Sequence, residues 1–184
     1  SLFAHQVYMN INEINNLVEL FYLQYKRQNK NDIFLNSIKD AKNKYSWEET
    51  YISIIKLSIQ IKKYIKKGDR CLIISENRPE WMITDLSIMM SEGITVPAYT
   101  TYTERDYEHI IDDCKPTLIF ISEKSLYDKV KNLIPKKKFI HKTIFFDFVN
   151  GLDKNFNLDF YGLLNENEKI DDISFNLETK RKDP

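Results

Sequence analysis

The chain reads as an α/β protein, a parallel sheet flanked by helices on both faces. Three observations predict it. From Arg70 onward, short apolar segments alternate with amphipathic ones at strand–helix–strand spacing. The apolar segments run continuously instead of alternating with polar residues, as strands buried on both faces do. The composition, 42% hydrophobic and 13% aromatic, is ample for a buried core.

The elements follow in order. Asn12 to Arg27 is a helix, with Leu17, Val18, Phe21 and Tyr25 on one face at a period of 3.6. Ile33-Phe34-Leu35 is a short strand. Ser46 and Glu49 have the spacing of a capping box, in which two orphan backbone donors are satisfied reciprocally. The helix behind it carries Tyr51, Ile54, Ile55, Ser58, Ile61 and Ile65 on one stripe and is expected to run to Lys66 and Lys67, with Gly68 as the stop. Then come strand Cys71 to Ser75, helix Pro79 to Ser91, strand Ile94 to Pro97, helix Glu104 to Cys114, strand Thr117 to Ile121, helix Lys124 to Ile134 and strand Thr143 to Phe146. Asn150-Gly151 marks a turn into a polar stretch, in which Asp159 to Leu164 holds a short helix. Glu178 to Pro184 is charged and loose. Three regions are therefore expected: residues 1–10 as a disordered or non-native start, 11–148 as the α/β unit, and 149–184 as a polar extension.

Several function classes are disfavoured. Lys plus Arg equals Asp plus Glu at 27 each, so no global charge points to nucleic acid. The basic runs Lys62-Lys63 with Lys66-Lys67 and Lys136-Lys137-Lys138 read as solvated helix ends and loops, or as a phosphate or membrane-surface contact. Cys71 and Cys114 have no metal-ligand spacing and read as buried, reduced thiols. A cytoplasmic protein, peripheral at a membrane surface at most, is expected, since no apolar run approaches spanning length. The four glycines, Gly68, Gly93, Gly151 and Gly162, are all far apart. Neither a dinucleotide fingerprint nor a P-loop can be built from them. The sequence offers no metal site and no catalytic constellation: Asp112-Asp113 and Asp171-Asp172 are adjacent and do not face each other on a helix, and the histidines are scattered.

Candidate binding residues come from position. Ligands of parallel sheets bind at the carboxyl ends of the strands. Arg78, expected exposed after the first parallel strand, is placed for a phosphate contact. Asn77 is expected to cap the helix that follows, with Pro79 in its first turn and Glu80 complementing its positive end. Tyr99, Thr100 and Thr101 follow the second strand and offer hydroxyls to a cleft or a neighbouring domain. Thr103 with Asp106 reads as a second capping box.

A family resemblance rests on these same residues. Tyr45-Ser46-Trp47-Glu48-Glu49, Gly68-Asp69-Arg70, Asn77-Arg78-Pro79-Glu80-Trp81, Asp85-Leu86, Gly93-Ile94-Thr95-Val96-Pro97-Ala98-Tyr99 and Thr103-Glu104-Arg105-Asp106 stand in one order. From Leu17 to Asp147 the chain resembles the amino-terminal region of AMP-forming acyl-CoA synthetases, and its wording is similar to the long-chain fatty-acid branch. The resemblance implies the first part of a large amino-terminal domain. It also implies an enzyme that joins a fatty acid to CoA with ATP and magnesium, through an acyl-adenylate. The family's phosphate loop, ribose-binding Asp and catalytic Lys have no counterpart here. The chain is therefore expected to be an inactive part of such a ligase, holding no cofactor alone, with the rest of that ligase as partner and a homodimer as a further option. The alternatives are a free-standing α/β binding or assembly module of the same ancestry, and an aryl-acid or short-chain ligase.

Overall fold

The computed structural model describes residues 17–166. In chain order they form helix α1 (Leu17–Arg27), strands β1 (Ile33–Asn36) and β2 (Lys44–Ser46), helix α2 (Trp47–Lys62), strand β3 (Arg70–Ile74), helix α3 (Pro79–Met90), strand β4 (Ile94–Ala98), helix α4 (Glu104–Cys114), strand β5 (Leu118–Ile121), helix α5 (Lys124–Val130), a 3-10 turn (Ile134–Lys136), strands β6 (Lys142–Phe145) and β7 (Asn157–Asp159), and helix α6 (Phe160–Leu164). β1 and β2 pair antiparallel. The other five strands make one parallel sheet in the order β4-β3-β5-β6-β7.

Alternation along each strand divides the core in two. Cys71, Ile73, Leu118, Phe120, Ile144 and Phe146 face one side, where α1, α2, α3 and α6 cover them. Leu72, Ile74, Ile119, Ile121 and Phe145 face the other, beneath Tyr107 and Ile111 of α4 and Leu126 and Val130 of α5. The expected parallel sheet with helices on both faces is thus the observed one. Both capping boxes are in place, at Ser46 with Glu49 and at Thr103 with Asp106.

Small hydroxyl residues set the contact between α2 and α3. Ser87 Oγ donates to Ile83 O of its own helix at 2.6 Å and to Ile54 O of α2 at 3.2 Å. Ser91 Oγ likewise donates to Ser87 O at 2.8 Å and to Ser58 O at 3.2 Å. Each hydroxyl folds back on a carbonyl, so the helices meet over short side chains with their polar atoms satisfied.

The structure departs from expectation at several points. α2 ends at Lys62, so Gly68 serves the following turn, with φ +82°, rather than stopping the helix. α5 ends at Val130, ahead of the 3-10 turn. Pro135, which lacks an N–H, sits in the first turn of that 3-10 segment, where the missing donor is tolerated, so a separate short turn replaces the expected continuation to Ile134. β4 is an edge strand, not one buried on both faces: Ile94 and Pro97 are exposed, and an edge is where a strand tolerates proline. Arg78, not Asn77, occupies the N-cap of α3, and its side chain does not cap. Cys71 is buried, but Cys114 is only half-buried. The sheet does not end at Phe148, because β7 pairs with β6 and Phe160 of α6 is fully buried. The expected residues 12–16 of the first helix, the start at 1–10 and the loose 178–184 lie outside the described residues.

Gly93, between α3 and β4, has no room for a side chain: a Cβ there would stand 2.8 Å from Ile65 Cδ1 and 3.0 Å from Ile88 Cγ2. Gly93→Ala is expected to destabilise the fold by about 1–2 kcal/mol through overpacking, measured as a lower urea midpoint at unchanged m-value.

Candidate functional site

The chain runs from β3 to β4 at one edge, then returns past β3 to β5. Ligands of open α/β sheets favour the crevice at such a reversal, outside the carboxyl ends of the strands. Here the turn Ser75–Arg78 and the residues Ser122 and Glu123 meet. A cleft of about 660 Å³ opens beside them, walled by the β3–α3 turn and overhung by the β1–β2 loop at Ser37 to Asn43.

Arg78 lies at this point, but the expectation of an exposed guanidinium is corrected, for its side chain is only 14% exposed. Nε donates to Glu80 Oε2 at 2.8 Å, and Nη2 donates to Glu80 Oε1 at 3.3 Å and to Asp147 Oδ1 at 2.8 Å. Nη1 points at Ser122 O, 3.5 Å away, and the guanidinium carbon lies 5.5 Å from the Phe146 ring centre. Burial lowers its pKa and the two carboxylates raise it more, so it stays charged. The polar groups on its wall are paired with one another as well: Ser122 Oγ donates to Glu76 Oε2 at 2.8 Å, and Lys39 reaches Glu76 at 3.5 Å.

Glu80, read from the sequence as a helix-end charge, is instead the centre of the site, with no exposure to solvent. Besides Arg78 it accepts hydrogen bonds from Asn43 Nδ2 at 2.8 Å and Tyr161 OH at 2.5 Å, and Tyr161 OH lies 2.6 Å from Tyr45 OH. Burial pushes the carboxyl up, but the bonds from Arg78, Tyr161 and Asn43 outweigh it and hold its pKa below the ordinary carboxylate value. Burial also raises Tyr161, as does its bond to Glu80. Tyr45 is pushed up to about 12, chiefly by burial. Sequence reading missed Asn43, Tyr45, Asp147 and Tyr161 as partners. Asn43 lies 37 and Tyr161 lies 81 positions from Glu80, so no local pattern announces them.

Tyr99 and Thr100 reach a different cleft, of about 390 Å³, across the β3–α3 turn with Trp81 and Asn77 on its walls. Tyr99 is 72% exposed, and its carbonyl accepts the Tyr107 hydroxyl at 2.6 Å. Lys129 Nζ pins this loop, donating to Thr100 O at 2.9 Å and Tyr102 O at 3.1 Å. Thr101 is exposed and lines neither cleft. The structure therefore does not gather Arg78 with Tyr99, Thr100 and Thr101 into one site.

The larger of these two clefts does not fit a nucleotide polyphosphate. Asp40, Glu76, Glu80, Glu123 and Asp147 line the larger cleft against Lys39, Lys42 and the already neutralised Arg78. Phosphate cradles need backbone N–H groups and uncommitted cations. Among the described residues no group of three His, Cys, Asp or Glu is placed to hold a metal ion.

A family model described as AMP-binding enzyme matches residues 23–171. The chain is 30% identical over 139 residues to luciferin 4-monooxygenase of Photuris pensylvanica, covering 73% of this chain and 24% of that protein. It is 28% identical over 140 residues to long chain acyl-CoA synthetase 3 of Arabidopsis thaliana, covering 72% and 21%. A mutant form of coronafacic acid ligase from Pectobacterium brasiliense superposes with a TM-score of 0.73 at 18% identity, over 82% of this chain and 29% of that one. The chain thus spans about a quarter of the length of these curated relatives.

Glu80→Ala would leave Arg78 largely buried with one partner fewer. It is expected to cost about 3–5 kcal/mol of unfolding free energy, read by chemical denaturation. The sign of the pH dependence follows from the depressed Glu80 pKa. Its contribution is complete above the unfolded value, about 4.3, and is lost as pH falls through the lower folded value. Stability of the native chain should therefore drop more steeply below about pH 4 than that of Glu80→Gln. Lys129→Met should leave the core intact while speeding amide hydrogen exchange in the Tyr99–Tyr102 loop severalfold.

Proposed function

The chain belongs to the AMP-binding enzyme family, and from that premise we propose that it supplies the first α/β layer of the large amino-terminal domain of a long-chain fatty-acid–CoA ligase. Such an enzyme joins a fatty acid to CoA through an acyl-adenylate, with ATP and magnesium. The motif wording from Asn77 to Trp81 and from Gly93 to Tyr99 supports the long-chain branch, as does the likeness to a long chain acyl-CoA synthetase.

One observation carries the role of the layer. In the crevice where an open α/β sheet would hold a ligand, Arg78 is already committed to Glu80 and Asp147, so the cleft there offers no free guanidinium. An arginine spent on internal carboxylates makes this layer a scaffold, so the catalytic groups that hold and activate substrates belong to the remainder of the ligase, and the chain alone is inert. Its place is the cytoplasm, at most peripheral to a membrane. The two free thiols suit a reducing compartment, and no helix among the described residues is long and apolar enough to cross a bilayer.

A second reading, a free-standing binding or assembly module, is favoured by the two apolar cores that the described residues form on either face of the sheet. The two readings part in one experiment on the protein captured from its source cells. Its intact mass is measured, along with ATP–pyrophosphate exchange in the presence of palmitate, an aryl acid or acetate. The ligase reading expects a mass several times that of 184 residues and exchange driven by palmitate, with none above a boiled control from the 184-residue chain. A native mass near that of the chain favours the module. Exchange driven by an aryl acid or acetate overturns the long-chain assignment, and exchange by the chain alone overturns its inertness.

A further inference from the structure

The amino-terminal ends of β6 and β7 border a cleft that the reading above leaves unused. Its volume is about 580 Å³, within the range of small-molecule sites. Tyr127, Ile134, Ile140 and Leu152 give it an apolar lining of half-buried side chains, and Phe156 stands at its rim, 60% exposed. The charges around it are Lys137, Lys138, Lys142 and one carboxylate, Asp153, with His141 alongside. The cleft at the opposite end of the sheet has the reverse balance, five carboxylates against three cations. A chain with no formal net charge is therefore polarised along its strands, and the positive end is the one with the apolar cavity.

The three lysines are not equivalent. Lys137 is committed to Asp112 at 2.5 Å and Glu108 at 3.8 Å. Lys142 donates to Asn155 O, and its ammonium lies 5.6 Å from the Tyr64 ring centre and 5.7 Å from that of Phe156, which fixes it at the mouth. Lys138 and His141 make no side-chain hydrogen bond or ion pair among the described residues.

We propose that this cleft binds a single-chain amphiphile with a monoanionic head, namely a medium-chain carboxylate. The ammonium groups of Lys138 and Lys142 meet the carboxylate at the mouth, and Ile134, Ile140 and Leu152 receive the tail. The sign of the rim excludes a cationic ligand, and two available ammonium groups match one charge rather than a polyphosphate. A bilayer surface fits less well, because insertion needs apolar side chains that protrude. Here all but Phe156 and Pro135 line a concavity. The inference rests on the cleft alone and not on the ligase reading.

The test is a heteronuclear NMR titration of the 184-residue chain with decanoate below its micelle threshold. Parallel titrations use decanol and phosphatidylcholine vesicles with and without phosphatidylserine. Expected are saturable shifts at Lys138, Ile140, His141, Lys142 and Phe156, with decanol at least about tenfold weaker. Lys138→Glu combined with Lys142→Glu should weaken decanoate about tenfold or more. Lys138→Gln, which removes no internal contact, should weaken it severalfold at an unchanged melting temperature. Equal binding of decanol, shifts centred on the carboxyl-end cleft, no shift at millimolar decanoate, or a response to the vesicles alone would each overturn the proposal. Turnover is not read, so none of these outcomes bears on the ligase assignment.

Discussion

Glu80 is a carboxylate without solvent access, and the carboxyl end of this sheet is organised around that fact. An ion taken out of water must be met by opposite charge and by hydrogen-bond donors, or the fold fails around it. Arg78 supplies the charge, and Asn43 and Tyr161 supply the donors. Each comes from a different part of the chain: the β1–β2 loop, the β3–α3 turn and α6. Arg78 then carries the connection to Asp147 beyond β6. One desolvated group thereby fixes the relative positions of the antiparallel ribbon, the parallel sheet and the last described helix. It also explains why a guanidinium placed for phosphate recognition is unavailable for it.

The architecture was legible in the sequence because its causes are local. Cys71–Ile74 and Leu118–Ile121 are continuous apolar runs because helices cover both faces of the sheet there. Ser46 and Thr103 announce helix starts because their partners are three residues away. The errors share a different origin. β4 is as apolar as β3, and nothing in Ile94–Ala98 except Pro97 indicates an edge. β7 was missed because Asn157-Leu158-Asp159 holds a single apolar residue and its pairing with β6 is a backbone ladder, which composition does not record. The site was the least legible part. Arg78 was found by position but assigned to an outside ligand, since the carboxylate that claims it most closely reads equally well as a helix-end charge. Asp147, 69 positions away, has no local signature at all.

The hydroxyl contacts between α2 and α3 show the same economy on a neutral scale. α3 buries Ile83, Leu86 and Ile88, yet it and its C-cap reach α2 with hydrogen bonds from Ser87 and Ser91. Short side chains let the helices meet closely, and hydrogen bonds to carbonyls satisfy the hydroxyls of Ser87 and Ser91. Together with the Glu80 network, this places the polar atoms of the interior where they specify one arrangement of helices on the sheet, while the apolar residues on either side supply the bulk of the burial.

The span of the Glu80 network has a consequence for biosynthesis. Tyr161 follows Glu80 by 81 residues, and a ribosome adds about 5–20 residues per second. A nascent chain therefore waits roughly 4–16 s between making the carboxylate and making its most distant donor. During that interval Glu80 lacks one of its donors, while the apolar strands β3, β4 and β5 are already made. The last described helix is in this sense a completion signal, for the hydrogen-bond set of Glu80 is filled only once α6 has been made.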